Sequence, residues 1–322
     1  MNSHRQLPVL SIAGALLLAA SCTGSGSDPG PVGGGGATGA TGGASGSTGN
    51  GGAIGNGGAS GSGGPAGSGG SGAPSSGCGM TGAPTGAMTT QTITVAGQER
   101  AYVLFVPTNY DANTRYPLIF AWHGLGGTGT LARSYFRIEQ AAANQAILVY
   151  PTALPNAQGM AAWDLAANGI DVQLFDALLV SVSGRYCIDG NRVFSTGHSY
   201  GGYMTNRLGC TRGDVLRAIG PVAGGPPFGG GSWGTCAGQV GAWIAHGMND
   251  GTVDFAQGEA ARDRFLMANG CGATTMATPP DACVAYDGCM PDLPVHWCVH
   301  MMDHNWPSYA GAGIWTFFNA FR

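Results

Sequence analysis

The chain has 322 residues, 60 of them glycine, and its 13 basic residues, all arginine, stand against 17 acidic ones, a formal net charge of −4. With no basic cluster, that balance excludes a nucleic-acid-binding face, which needs dense cationic charge along a phosphate backbone. The glycines follow no G-X-Y period, so a collagen triple helix is excluded too.

At the N-terminus, His4 and Arg5 precede an apolar stretch from Leu7 to Ala20, ending in the small residues Ala19, Ala20 and Ser21. Residues 1–21 read as an export signal, because so short a stretch does not span a bilayer as a helix. Leu18-Ala19-Ala20-Ser21-Cys22 resembles a bacterial lipoprotein signal, with Cys22 as the lipidated first residue, although Ala19 stands where leucine is usual. Residues 22–77 form the next unit. From Thr23 to Gly77 there are 25 glycines and a single charge, Asp28, so the segment cannot bury a core and reads as a flexible tether. Residues 78–322 are left for one large domain, expected to act as a monomer.

Within that domain, Gln91 to Val95 and Arg100 to Val106 alternate as strands around a turn at Ala96-Gly97, an antiparallel hairpin ended by Pro107. Pro117 to Trp122 is wholly apolar, the mark of a strand buried on both faces of a parallel sheet. A helix is predicted over Leu131 to Asn144, a strand over Ala146 to Tyr150, and a helix over Asp171 to Tyr186, whose Val172, Phe175, Leu178, Leu179 and Val182 form one stripe. The strand Arg192 to Thr196 runs into Gly197 and a helix near Gly201. The strand Gly241 to Ala245, the helix Glu259 to Ala268, the strand Pro294 to His300 and the helix Ser308 to Phe321 complete the order. This alternation predicts a doubly wound, mostly parallel α/β sheet with antiparallel first strands.

Gly197-His198-Ser199-Tyr200-Gly201 fits G-x-S-x-G between a strand and a helix, the setting of a nucleophile elbow. A hydroxyl needs a base, and the base needs an orienting acid. Asp250, just past the strand ending at Ala245, is the candidate acid. Asp254 is its rival and reads better as a solvated loop residue. His304, between the last strand and the last helix, is the candidate base. His296 and His300 share a strand face with Cys298 between them, a conceivable zinc trio that disulfide chemistry in an exported protein disfavours. His123-Gly124-Leu125-Gly126-Gly127 matches an oxyanion loop, with the Leu125 and Tyr200 N–H groups as donors. It lacks the lysine and the glycine spacing of a phosphate loop.

With these four segments in order, residues 78–322 resemble the secreted polyhydroxybutyrate depolymerases and feruloyl esterases of carbohydrate esterase family one. The resemblance rests on His123-Gly124, on Tyr186-Cys187-Ile188-Asp189 with Arg192-Val193 leading to Gly197 to Gly202, on His246-Gly247 with Asp250, and on His304 before Trp306-Pro307. It implies an α/β-hydrolase fold and a triad of Ser199, Asp250 and His304, with no metal or organic cofactor. Asp303, directly before the histidine, departs from the glycine usual in the family and bears on the local turn. The implied activity is hydrolysis of feruloyl or acetyl esters on plant polysaccharide, and the N-terminal segment makes the enzyme exported, either as a surface lipoprotein whose only membrane contact is a lipid at Cys22 or as a free extracellular protein. The alternatives are a polyester depolymerase and a non-catalytic glycan-binding lipoprotein. Trp122, Trp163 and Trp306 are the candidate substrate contacts, since aromatic walls suit a phenolic or sugar ring.

Nine cysteines are an odd number, and lipidation of Cys22 would leave eight for four bridges. The family has cysteines at the positions of Cys187 and Cys210. A five-residue strand and a ten-residue helix running back along it both cover roughly 15 Å, so a Cys187–Cys210 bridge is expected below the elbow. Cys271, Cys283, Cys289 and Cys298 would then pair among themselves, leaving Cys78 with Cys236.

Overall fold

The computed structural model describes residues 74–87, 89–227 and 233–322. The export signal, Cys22 and all of the tether before Pro74 lie outside the described residues. Pro74 to Gly77, assigned above to the tether, belong to the folded body. Pro74 bridges to Asp189, Ser75 Oγ donates to Tyr186 O and accepts from Ile188 N–H (both 2.8 Å), and Gly77 N–H donates to Ser183 O.

In chain order the strands and helices are β1 (Gly86–Ala87), β2 (Gln91–Val95), β3 (Gln98–Val106), β4 (Tyr116–Trp122), α1 (Gly129–Phe136), α2 (Ile138–Ala142), β5 (Ile147–Pro151), α3 (Ile170–Ser183), β6 (Ile188–His198), α4 (Tyr200–Thr211), β7 (Ala218–Val222), β8 (Gly241–Gly247), α5 (Phe255–Ala268), β9 (Thr275–Thr278), β10 (Cys283–Tyr286), β11 (Val295–His300) and α6 (Ala310–Asn319). One sheet holds all the strands in the order β1-β3-β5-β4-β6-β7-β8-β11-β10-β9, with β2 hairpinned to β3. From β5 to β11 the pairings are parallel, whereas both ends of the sheet are antiparallel.

The apolar run of β4 is divided by the strand's two-residue period. Leu118, Phe120 and Trp122 enter the core under α3, α4 and α5, while Ile119 and Ala121 enter the opposite one under α1, α2 and α6. Burial on both faces forces the strand to be apolar throughout. The predicted helix over Leu131 to Asn144 is instead two helices, broken at Arg137, whose φ of 54° is left-handed. Thr128 caps the first of them, its hydroxyl accepting from Leu131 N–H. The strand β7 and the hairpin β9–β10 were not predicted. Gly220 and Pro221 disguise β7, and the exposed residues of β9 with the half-buried, non-alternating ones of β10 disguise the hairpin.

The bridges are Cys78–Cys187, Cys210–Cys236, Cys271–Cys289 and Cys283–Cys298. The last four cysteines pair among themselves as expected, but the expected Cys187–Cys210 and Cys78–Cys236 bridges are both wrong. The strand β6 has 11 residues rather than five, but its register slips near the start: Ile188 pairs with Tyr116 and Val193 already with Leu118, so the strand is not one regular rise to the elbow. Cys187 is held at the foot of β4, where Tyr116 N–H donates to its carbonyl, and not against the end of α4. The Pro74–Gly77 segment packs against Tyr186–Ile188 and delivers Cys78 to Cys187, and Cys210, whose carbonyl accepts from Ala237 N–H, meets Cys236. Because Cys298 is bonded to Cys283, the His296–Cys298–His300 trio has no free thiolate for zinc.

Candidate active site

Four loops meet at one edge of the sheet because β4, β6, β8 and β11 run parallel and end there. They carry His123-Gly124, Ser199, Asp250 and His304, so all four predicted segments converge.

Ser199 sits between β6 and α4 with φ 58° and ψ −121°, a left-handed backbone that a non-glycine residue adopts only under strain. The turn is tight enough to dictate its glycines. A Cβ at Gly197 would stand 2.3 Å from Gly201 O, and one at Gly201 would stand 1.9 Å from Trp122 O. Ser199 spends its own N–H on Val222 O, and Tyr203 N–H returns to Ser199 O. Tyr200 opens α4, at the positive end of the helix dipole.

Asp250 is buried in the loop after β8. Its Oδ1 accepts the N–H groups of Thr252 (2.9 Å) and Val253 (2.8 Å), and its Oδ2 lies 2.7 Å from His304 Nδ1. Burial pushes this carboxyl up, but the Val253 N–H, the His304 ring and the Thr252 N–H together outweigh it and hold the group below the usual carboxylate range. His246 supports the loop from β8, its Nε2 donating to Val253 O at 2.9 Å and lying 3.4 Å from Asp250 Oδ2. The rival Asp254 sits instead at the N-cap of α5. The His304 ring centroid is 4.8 Å from that of His198, the residue before Ser199, so the imidazole stands beside the elbow.

His123 fixes the glycine loop. Its Nε2 accepts Ala153 N–H at 3.0 Å, which leaves Nδ1–H to donate to Gly124 O at 2.6 Å. Burial lowers the ring to about 4, keeping it neutral. Gly126 N–H donates to Ala161 O and Gly127 N–H to Gly124 O. A Cβ on Gly124 would come within 3.4 Å of Ser199 Cβ, so the loop stands over the serine.

The three tryptophans are not open substrate walls. Trp122 is buried in the core with Nε1 donating to Ser195 Oγ, Trp163 packs edge-on against it and donates to His123 O, and Trp306 stacks on Phe136 at 4.1 Å. All three are at most 7% exposed, because strand ends and loop roots bury their rings under the site. The open cavity next to Ser199, about 550 Å³, is lined instead by Leu125, Leu131, Tyr135, Phe136 and His198 together with the glycine loop. Leu131 and Tyr135 remain exposed. Four residues apart, they mark a second apolar face on α1, a signal present in the sequence but overlooked there.

Feruloyl esterase D of Neurospora crassa is 36% identical over 281 residues, covering 78% of this chain and 91% of that protein. Feruloyl esterase C of Emericella nidulans is 32% identical over 217 residues, 65% of this chain and 74% of that protein. Among solved structures, acetyl xylan esterase from Aspergillus awamori aligns with a TM-score of 0.60 at 17% identity, covering 72% of this chain and 99% of that one. A feruloyl esterase module from Clostridium thermocellum, complexed with sinapinate, aligns at 0.51 and 16% identity over 74% of this chain and 89% of that one. These likenesses show the α/β-hydrolase fold. No protein-family model matches the sequence.

Proposed function

The chain belongs to the feruloyl esterase family of carboxylic ester hydrolases, and on that premise we propose that it cleaves feruloyl or acetyl esters on plant polysaccharide, with Ser199 as nucleophile, His304 as general base and Asp250 as its orienting acid. The observation that supports these roles is the 2.7 Å pair of His304 Nδ1 and Asp250 Oδ2 beside a serine held at φ 58°. Ser199 Oγ gives its proton to His304 Nε2 and attacks the ester carbonyl. The oxyanion takes the Tyr200 N–H and the Leu125 N–H, since Gly126 and Gly127 have committed theirs to Ala161 O and Gly124 O. His304 then protonates the departing alcohol, and water repeats the cycle on the acyl-enzyme to release the acid. Asp250 holds the Nδ1–H tautomer and stabilises the imidazolium. The cavity beside Ser199, walled by Leu131, Tyr135 and Phe136, suits an apolar or aromatic acyl group.

A panel of methyl ferulate, acetylated xylan and polyhydroxybutyrate granules tests the substrate, with Ser199→Ala as control. The expected result is turnover of the first two and none by the variant. Turnover that survives Ser199→Ala removes the nucleophile assignment, and preference for the granules transfers the protein to polyester chemistry.

The four disulfides fit an extracellular protein. We infer further that Cys22 carries a lipid. Cys22→Ala should then move the protein from the membrane to the soluble fraction with turnover intact. Wild-type protein found in the soluble fraction would mean simple cleavage of the signal.

A further inference from the structure

The proposed base lies in the loop following β11, and the proposed acid in the loop following β8. A triad built on two such loops needs something to fix one loop against the other, because an imidazole displaced by an ångström can cost about two orders of magnitude in rate. The strand pairing ends at Gly247 and His300, with Met248 N–H still donating to His300 O at 2.8 Å. Past that point two side chains continue the link. Asn249 Nδ2 donates to Met301 O. Asp303 Oδ1 accepts two backbone N–H groups at once, from Gly251 at 3.0 Å and from His304 at 2.7 Å.

We infer that Asp303 is a positioning residue: its single Oδ1 pins the backbone of the residue after the acid to the backbone of the base, and so sets the Asp250–His304 geometry before substrate arrives. Asp303 touches neither substrate nor reacting atoms. Asp250 and His304 already meet through their side chains, and Asp303 closes that contact into a ring by joining the two main chains. The Gly251 and His304 N–H groups also hold the Asp303 carboxyl below its ordinary range, so the acceptor stays ionised at neutral pH. Since Asp303 is exposed, its contribution is to loop geometry and not to core burial.

This inference rests on the proposed triad, and one experiment separates the two. Asp303→Ala, Asp303→Asn and His304→Ala are made in the full chain and assayed on methyl ferulate, with kcat and KM resolved and the melting temperature followed by circular dichroism. The clamp predicts that Asp303→Ala loses on the order of 10- to 100-fold in kcat with KM and melting temperature unchanged. It also predicts that Asp303→Asn, which keeps an acceptor oxygen, restores most of that loss. An Asp303→Ala variant with wild-type kcat beside an inactive His304→Ala overturns the clamp and leaves the triad standing. An Asp303→Asn variant as slow as the alanine one assigns the effect to charge and overturns the clamp, as does a loss of kcat that tracks a fall in melting temperature. An active His304→Ala instead overturns the triad.

Discussion

His123 and His198 are buried and His296 is half-buried, and burial drives each to an acidic value, about 4, about 3 and about 4. At His198 the neighbouring His304 adds to the effect of burial. A histidine whose folded value lies below its unfolded 6.5 binds its proton more readily in the unfolded chain. Stability is therefore complete above about pH 6.5 and falls as the pH drops toward 4, by about 1.4 kcal/mol per pH unit for each such ring. Asp250 acts in the same direction but lower, because its stabilisation is present above the ordinary carboxylate range and is lost only as the pH falls through its lowered value. Urea unfolding at pH 7, 5.5 and 4.5 should show a falling midpoint. His296→Phe should flatten that dependence, because His296 meets the ring of Phe317 edge-on at 4.8 Å, away from the catalytic edge. An equally steep profile in the variant would mean that His296 is not held neutral.

At the scale of elements, legibility followed the number of constraints on each segment. The strand β4 was readable because burial on both faces leaves only apolar choices, and the turn Ala96-Gly97 because both residues need positive φ, 48° and 77°. The elbow was readable for a similar reason: only glycine fits at positions 197 and 201, so the pattern around Ser199 is imposed by backbone contact. Asp250 and His304 were placed by chain order and by their position just past strand ends, which the parallel sheet requires of residues that must meet. By contrast, β7 was hidden by its own Gly220-Pro221, and the break at Arg137 depends on tertiary packing that no local period encodes. The tryptophans misled because residue type does not say which way a ring turns at a strand end. Trp122 turns into the core under α3, α4 and α5, while the exposed Leu131 and Tyr135 line the cavity. The position of Asp303 was visible as a departure, but the aim of its carboxylate toward Gly251 was not.

For the molecule as a whole, the bridges decide how the sheet is closed. Cys78–Cys187 joins the start of the described domain to the foot of β6, 109 residues apart, and so encloses the hairpin and the strands β4 and β5. Cys283–Cys298 ties β10 to β11 at directly opposed positions only 15 residues apart. On the loop-entropy estimate, which is model-dependent, the first should be worth about 4.7 kcal/mol and the second about 3. The double variant Cys78→Ser with Cys187→Ser should therefore unfold at lower urea than Cys283→Ser with Cys298→Ser. The kcat of its folded fraction should stay unchanged, because the bridge sits at the end of β6 opposite Ser199. If the two double variants have equal midpoints, the hydrogen bonds of Ser75 and Gly77 to Tyr186, Ile188 and Ser183 already close the loop without the sulfurs. Non-reducing peptide mapping gives the independent check. Peptides joining Cys187 to Cys210 would break both the Cys78–Cys187 and the Cys210–Cys236 pairs and overturn this closure.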